Sequence, residues 1–375
     1  MVSNMKIAMF GHKRIPSREG GVEIVVEELS TRMAALGHRV VCYNRSGHHV
    51  SGAAFDADSL DQFRQVNIKS VWTVDKKGLA AVSSSFFAAI CASFGQNDVV
   101  HIHAEGPAFM CWMPKLFGKR VVVTVHGLDW QREKWKQGFG AKYIRAGEKM
   151  AVRFADRIVV LSHNVQQYFR DAYGKETVFI PNGVTRPQQQ DAVMIREKFS
   201  LEKNGYILFL GRLVPEKGIH YLIEAFSGVK TEKKLVIAGG VSDSEEYARQ
   251  LKELAAGDPR ILFTGFVQGR ILGELYSNAY VYVLPSDVEG MPLSLLEAMS
   301  YGNCCLVSDI PECTEVTGTH AVSFTRGDAE DLRRKLQELC AFPERAIQYK
   351  SQASDYICKK YSWDTVTNST LELYQ

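Results

Sequence analysis

Short apolar runs alternate with longer amphipathic stretches along the whole chain, the pattern of a parallel sheet whose strands are joined by crossover helices. In the first half the runs predict strands over Lys6–Phe10, Arg39–Tyr43, Val66–Val71, Val99–His103, Arg120–Val125, Arg157–Leu161 and Thr177–Ile180. The turn Pro181-Asn182-Gly183-Val184 and the polar Gln188-Gln189-Gln190 break the pattern and predict a linker. The pattern restarts with strands over Ile207–Leu210, Lys234–Ala238, Ile261–Phe263, Val281–Leu284 and Cys304–Val307, and residues 343–375 read as helical. The expected fold class is therefore α/β, with a first domain over 1–183 and a second over 184–354. The least polar long stretch, Leu79–Phe94, contains four serines and is too short to span a bilayer. It is expected to be a buried helix.

Composition narrows this picture. A chain of 375 residues suits two α/β domains of ordinary size, and a hydrophobic fraction of 46% fits a globular enzyme. The net charge of +3 is too small to argue for a nucleic-acid partner. Eight cysteines form no Cys-x-x-Cys pair and no His/Cys metal spacing, so they are expected to be reduced core residues of a cytoplasmic protein. Met1-Val2-Ser3-Asn4 runs straight into a strand, and no secretory signal is expected.

The chemistry concentrates where strands run into helices. Glu289 and Glu297 bracket Gly290-Met291-Pro292-Leu293-Ser294-Leu295-Leu296, a junction whose free N–H groups and helix dipole suit an anion such as a diphosphate. Gly290 lets backbone approach closely, and two ionised carboxylates on different sides of an anion can accept hydrogen bonds from sugar hydroxyls. Gly211-Arg212-Leu213-Val214-Pro215-Glu216-Lys217 follows another apolar strand. Arg212 and Lys217 are the cations that a departing diphosphate needs, unless Lys217 merely pairs with Glu216 at the surface. In the first half, Gly11 and a basic loop lead to Gly20-Gly21 before a helix, where backbone can approach a phosphate or sugar. The spacing Gly-x-Gly-x-x-Gly is missing there, which argues against a nicotinamide-dependent oxidoreductase. His126 ends a buried strand, where ligand-binding residues collect, while His103 is expected to be structural.

The arginine–lysine loop together with the Glu-x7-Glu segment resembles glycosyltransferase family 4, retaining and metal-independent sugar transferases, and the resemblance spans nearly the whole chain. It implies two facing Rossmann-like domains (the GT-B architecture), with a closing helix at about 355–375 crossing back to the first. It implies that Arg212 and Lys217 contact the donor diphosphate, Glu289 the transferred sugar and Glu297 the ribose. It also implies that His126 lies beside that sugar and that the Gly20-Gly21 loop faces the donor. Met291 stands where family members often carry Phe or another apolar residue, which reads as tuning of the pocket. His126-Gly127-Leu128-Asp129-Trp130 with Lys134-Trp135, and Ser294–Gly302 after Gly290-Met291, are most similar to bacterial surface-polysaccharide and rhamnosyltransferase-like members.

The expected activity is transfer of a sugar from a nucleotide diphosphate donor to a hydroxyl acceptor, glycan or lipid-linked. No cofactor and no metal are expected, because Arg212 and Lys217 can supply the positive charge. A sugar-nucleotide epimerase of the same architecture and a non-catalytic, membrane-associated scaffold remain alternatives. Residues 130–153 mix Trp130, Trp135, Phe139 and Tyr143 with seven basic residues, which suits either a solvated face or peripheral contact with the inner face of a membrane.

Overall fold

A computed structural model describes residues 4–47, 60–74, 76, 78–131, 139–241 and 245–375. The chain divides into two compact units, one of residues up to Asn182 together with Trp363–Gln375, the other Gly183–Ser362.

The first unit is built on a sheet of β1 (Lys6–Phe10), β2 (Arg39–Arg45), β3 (Gln62–Phe63), β4 (Val66–Val71), β5 (Val99–His103), β6 (Arg120–Val125), β7 (Arg157–Val160) and β8 (Val178–Phe179), in the order β3-β4-β2-β1-β5-β6-β7-β8. Every pairing is parallel except β3 with β4. β5 is buried along its whole length and β6 at every residue after Arg120, as strands covered on both faces must be, which is why Val dominates them. The chain moves outward from β1 through β2 to β4, then returns to β5 on the other side of β1. Right-handed crossovers therefore place helix Gly21–Ala35 on one face of the sheet, and helices Leu79–Phe94, Glu105–Ala108, Trp112–Leu116 and Phe139–Phe154 on the other. Packing agrees: Glu105–Ala108 touches both Leu79–Phe94 and Phe139–Phe154.

The second unit has β9 (Tyr206–Leu210), β10 (Lys234–Ala238), β11 (Ile261–Gly265), β12 (Val281–Leu284), β13 (Cys304–Ser308) and β14 (Val322–Phe324), in the order β11-β10-β9-β12-β13-β14, all parallel. Direction reverses between β9 and β12, which are paired through Ile207 with Val281 and Leu208 with Tyr282. Each unit is thus a doubly wound parallel sheet, as the alternating pattern predicts. The pattern missed β3 and β14, whose two and three residues are too few to register as apolar runs.

Helix Leu79–Phe94 forms over the expected residues but is not buried. Its inward face is Ser84, Ser85, Ala88, Ala89, Ala92 and Ser93, while Leu79, Phe86 and Phe94 face solvent. The cysteines are all free, and Cys91 on this helix is exposed.

Helix Pro343–Lys360 packs on helix Leu293–Ser300 of the second unit, and helix Trp363–Glu372 packs on Gly21–Ala35 of the first. The return is held by polar contacts to a buried strand. His101, fully enclosed on β5, is hydrogen-bonded through Nδ1 to Tyr374 Oη (2.6 Å) and through Nε2 to Thr124 Oγ1 (2.7 Å), and Arg120 Nε donates to Leu373 O (2.8 Å). A buried imidazole stripped of one partner loses a full desolvation penalty. Tyr374→Phe is therefore expected to destabilise the chain by about 1–3 kcal/mol in chemical denaturation.

Candidate functional site

In the second unit the loops after β9 and β12 lie side by side at the strand reversal, where ligands bind in open α/β sheets. Two features lock them together. Gly218 sits at φ +64°, and a Cβ there would come within 2.0 Å of Pro285 O, so no other residue fits. Asp287 N donates to Glu216 O (2.9 Å). Across this seam Lys217 Nζ meets Glu289 Oε1 at 2.5 Å, with side chains only 15% and 8% exposed. The partner of Lys217 is thus Glu289 and not its neighbour Glu216. Ser286 Oγ donates to the same Oε1 (2.6 Å) and Ser308 Oγ to Ser286 O (2.6 Å), which fixes the carboxylate in place.

Helix Leu293–Ser300 begins at Pro292, whose extended backbone serves as N-cap without a side-chain cap. Leu295 N and Leu296 N both donate to Pro292 O, so the amides of Leu293 and Ser294 precede the first intrahelical bond. Gly290 and Met291 are buried in the approach to this turn. Glu297 lies a little over one turn into the helix and accepts from Tyr276 Oη at 3.2 Å. Tyr276 also reaches Ser294 O, and Tyr282 Oη donates to Ser294 Oγ (2.8 Å) and Leu210 O (3.4 Å). Burial, with Glu297 next, drives the Tyr276 phenol far above its ordinary range, so it remains a donor to the carboxylate. A polar chain of two tyrosines and a serine thus joins Glu297 to Leu210, the residue before Gly211-Arg212. Sequence reasoning did not single out Tyr276, Tyr282 or Ser286, because their partners lie up to 72 residues away.

The first unit repeats the geometry at its own reversal, between β1 and β5. Gly11 has φ +110°, and a Cβ would meet His103 O at 2.0 Å. His12 follows, buried, bonded through Nε2 to Asn44 Oδ1 (3.0 Å) and with Nδ1 unpartnered. Gly20 is the N-cap of helix Gly21–Ala35, and the Glu23 carboxylate folds back on it, accepting from Lys13 N at 2.9 Å. The anion at this helix start is therefore the chain's own.

His126 ends β6 nearly enclosed, and its Nε2 is 3.1 Å from Nδ1 of His103, which carries an unpartnered Nε2. His103 is thus the immediate neighbour of His126; its place at a strand end was the available signal. Burial holds the His103 imidazole well below its usual range, and lowers His101 to about 3 and His12 to about 4. Because the His103 ring is held neutral, the 103–126 contact is one N–H···N bond. Gly20, Gly21 and His126 thus belong to the first unit, and Arg212, Lys217, Glu289 and Glu297 to the second.

Behind His126 the chain turns through Asp129–Gln131 over two enclosed glutamates. Glu105 Oε2 accepts from Asp129 N (2.8 Å), and Glu148 Oε2 accepts from Tyr168 and Tyr173 (2.9 and 2.6 Å). The other oxygen of each glutamate has no donor. Burial first, then Asp129 and Glu148, drives the Glu105 carboxyl well above its usual range, so that it keeps its proton beside Glu148. The aromatic and basic residues of 130–153 separate in the structure. Trp130 packs inward against the first-unit core and Tyr143 is half-buried, while Lys142, Arg145, Lys149 and Arg153 are exposed. Residues 132–138, including Trp135, and the Phe139 side chain lie outside the described residues. So does the Asp56-Ala57-Asp58 triplet, a pattern that can bind metal; among the described residues no group of three or more His, Cys, Asp or Glu is placed to hold an ion.

Two family models divide the chain: residues 19–186 match one described as Glycosyltransferase Family 4, and residues 192–355 one described as Glycosyl transferases group 1. The chain is 25% identical over 404 residues to an uncharacterized glycosyltransferase of Methanocaldococcus jannaschii, covering 99% of this chain and 98% of the other. In fold it is similar to sucrose-phosphate synthase from Thermosynechococcus elongatus (TM-score 0.84, 20% identity, 99% and 98% of the two chains). It is also similar to Anabaena HepE, solved in complex with UDP-glucose (TM-score 0.81, 17% identity, 98% and 99%). Both family models are of glycosyltransferases and the fold is GT-B, so the chain is a glycosyltransferase and not the epimerase or scaffold of the alternatives.

The buried groups give stability a two-sided pH dependence. His12, His101 and His103 have depressed values, so their contribution is present above the ordinary 6.5 and is lost as pH falls below it. Glu105 has a raised value, so its contribution is present below the ordinary 4.5 and is lost as pH rises through the shifted value. Thermal unfolding across pH should show Glu105→Gln gaining on the wild type as pH rises above about 4.5, with the acid-side loss unchanged. Parallel curves would exclude a protonated Glu105.

Proposed function

The chain belongs to glycosyltransferase family 4, and we propose that it transfers a sugar from a nucleotide diphosphate donor to a hydroxyl of a glycan or lipid-linked acceptor in surface polysaccharide synthesis. One observation carries the donor reading: Arg212, Lys217, Glu289 and Glu297 all flank the β9–β12 reversal, beside the uncapped start of helix Leu293–Ser300.

The Lys217–Glu289 pair gives the site its logic. A diphosphate is a stronger competitor for an ammonium than one carboxylate, so donor binding draws Lys217 away and releases Glu289 to accept from hydroxyls of the transferred sugar. Arg212, Lys217 and the Leu293 and Ser294 amides then stabilise charge as the bond from the anomeric carbon to the diphosphate breaks. Glu297, aligned by Tyr276, accepts from the ribose hydroxyls. In the first unit His126 is held by His103; its assignment to positioning the sugar, and that of the Gly20-Gly21 loop to phosphate and acceptor, is supported by the family resemblance. The new bond forms from the acceptor oxygen on the face the diphosphate leaves, the acceptor proton passes to a phosphate oxygen, and configuration is retained. No metal is required, since the two cations supply the charge. HepE was solved with UDP-glucose, which makes that the first donor to test. Eight free thiols support a reducing, cytoplasmic setting.

Donor binding stabilises a folded chain in proportion to affinity, so UDP should raise the melting temperature. Arg212→Ala and Lys217→Ala are expected to lower kcat about a hundredfold or more. Glu297→Ala is expected chiefly to raise the donor KM. Wild-type turnover in a folded Arg212→Ala enzyme would refute the assignment.

A further inference from the structure

Helix Leu79–Phe94 is amphipathic in reverse. Small residues, alanine and serine, face the sheet, and large apolar ones face out. Its sixteen residues include no charge. Leu79, Phe86, Ile90 and Phe94 recur at helical spacing, forming one outward stripe in which only Ile90 is half-buried. The stripe widens beside Phe86, whose ring meets Phe87 at 5.4 Å, and continues beyond the C-terminal end of the helix. Trp72, 62% exposed, meets Phe87 edge-on with ring centroids 5.3 Å apart, and Phe94, 71% exposed, meets Phe117 at 4.5 Å beside Leu116, 70% exposed. Scattered exposed apolar residues are ordinary, but a contiguous aromatic-rich band marks a surface that is covered in use.

The charge around it identifies what covers it. Leu79–Phe94, Glu105–Ala108, Trp112–Leu116 and Phe139–Phe154 form one layer on one face of the sheet. Their acidic residues, Glu105 and Glu148, are enclosed. Lys142, Arg145, Lys149 and Arg153 recur every three or four residues along the outer side of Phe139–Phe154. The layer thus presents an apolar band at one end and a cationic stripe at the other. We propose that this layer docks on an anionic lipid surface, the aromatic band entering the headgroup boundary and the stripe lying over lipid phosphates. Both features are needed. A second copy of the chain would match the apolar band, but its same layer offers the cationic stripe no anionic partner, since Glu105 and Glu148 are enclosed. No helix among the described residues is long and apolar enough to cross a membrane; the layer lies on one. The proposal keeps the basic residues of 130–153 and adds the apolar contact of Leu79–Phe94, Trp130 being packed inward, and it is independent of the donor-site reading.

The test is flotation of the full chain with vesicles of phosphatidylcholine alone and of phosphatidylcholine mixed with phosphatidylglycerol. The wild type should float with the mixed vesicles and be released by salt. Phe86→Ser with Phe94→Ser should lower the bound fraction about tenfold or more. Lys142→Glu with Lys149→Glu should abolish the preference for phosphatidylglycerol. Both double variants replace exposed side chains and should keep the wild-type melting temperature. The proposal is overturned if the wild type floats with neither vesicle or if either double variant floats like the wild type. It is also overturned if light scattering shows a dimer that Phe86→Ser with Phe94→Ser converts to monomer.

Discussion

Close approach of two backbones at a strand reversal is the constraint on which each unit depends. Where a parallel sheet turns back on itself, neighbouring strand ends must share a small space, and side chains beyond Cα would hold them apart. In the second unit Gly218 against Pro285 O removes that obstacle, and in the first Gly11 against His103 O does the same. Everything chemical in each unit is carried by loops that this contact brings together. Lys217 can reach Glu289 only because residue 218 has no Cβ.

The two reversals solve the electrostatic problem of enclosure in opposite ways. The second unit encloses opposite charges and lets them neutralise each other, with Ser286 completing the carboxylate. Such a pair leaves a buried charge uncompensated when either partner is removed, so it persists until a competing anion arrives. The first unit keeps the Glu23 carboxylate at its helix start, but around His126 it encloses groups that give up their charge: an imidazole that stays neutral and a carboxyl that keeps its proton. The first arrangement cancels charge by pairing it. The second holds a rigid, uncharged wall behind His126, whose ring is tied to His103 and whose following turn is tied to Glu105.

Legibility of these features in the sequence depended on how local their causes are. β1, β5, β6, β10 and β12 were readable to the residue, because a strand covered on both faces is an apolar run bounded by polar turns, and β4 was readable from its alternating buried and exposed positions. β3 and β14 were not, because they are too short to differ from a turn. Arg212, Lys217, Glu289 and Glu297 could be picked out because strand-loop-helix junctions have a compositional signature. The pairing of Lys217 with Glu289, 72 residues apart, could not. The helix over Leu79–Phe94 was readable, but its orientation was not: apolarity reads as burial unless it is known that alanines and serines are what the sheet accepts there.

The sequence by itself determined the class of fold, the places where strands end and the residue types waiting there, since these follow from periodicity and from chemistry within a few positions. Tertiary structure alone decided partners, protonation and facing. Which acid neutralises Lys217, which ring restrains His126, whether Glu105 keeps its proton and which side of an uncharged helix meets water all depend on distance and desolvation between segments far apart in the chain. Neither quantity is written in any local stretch of residues.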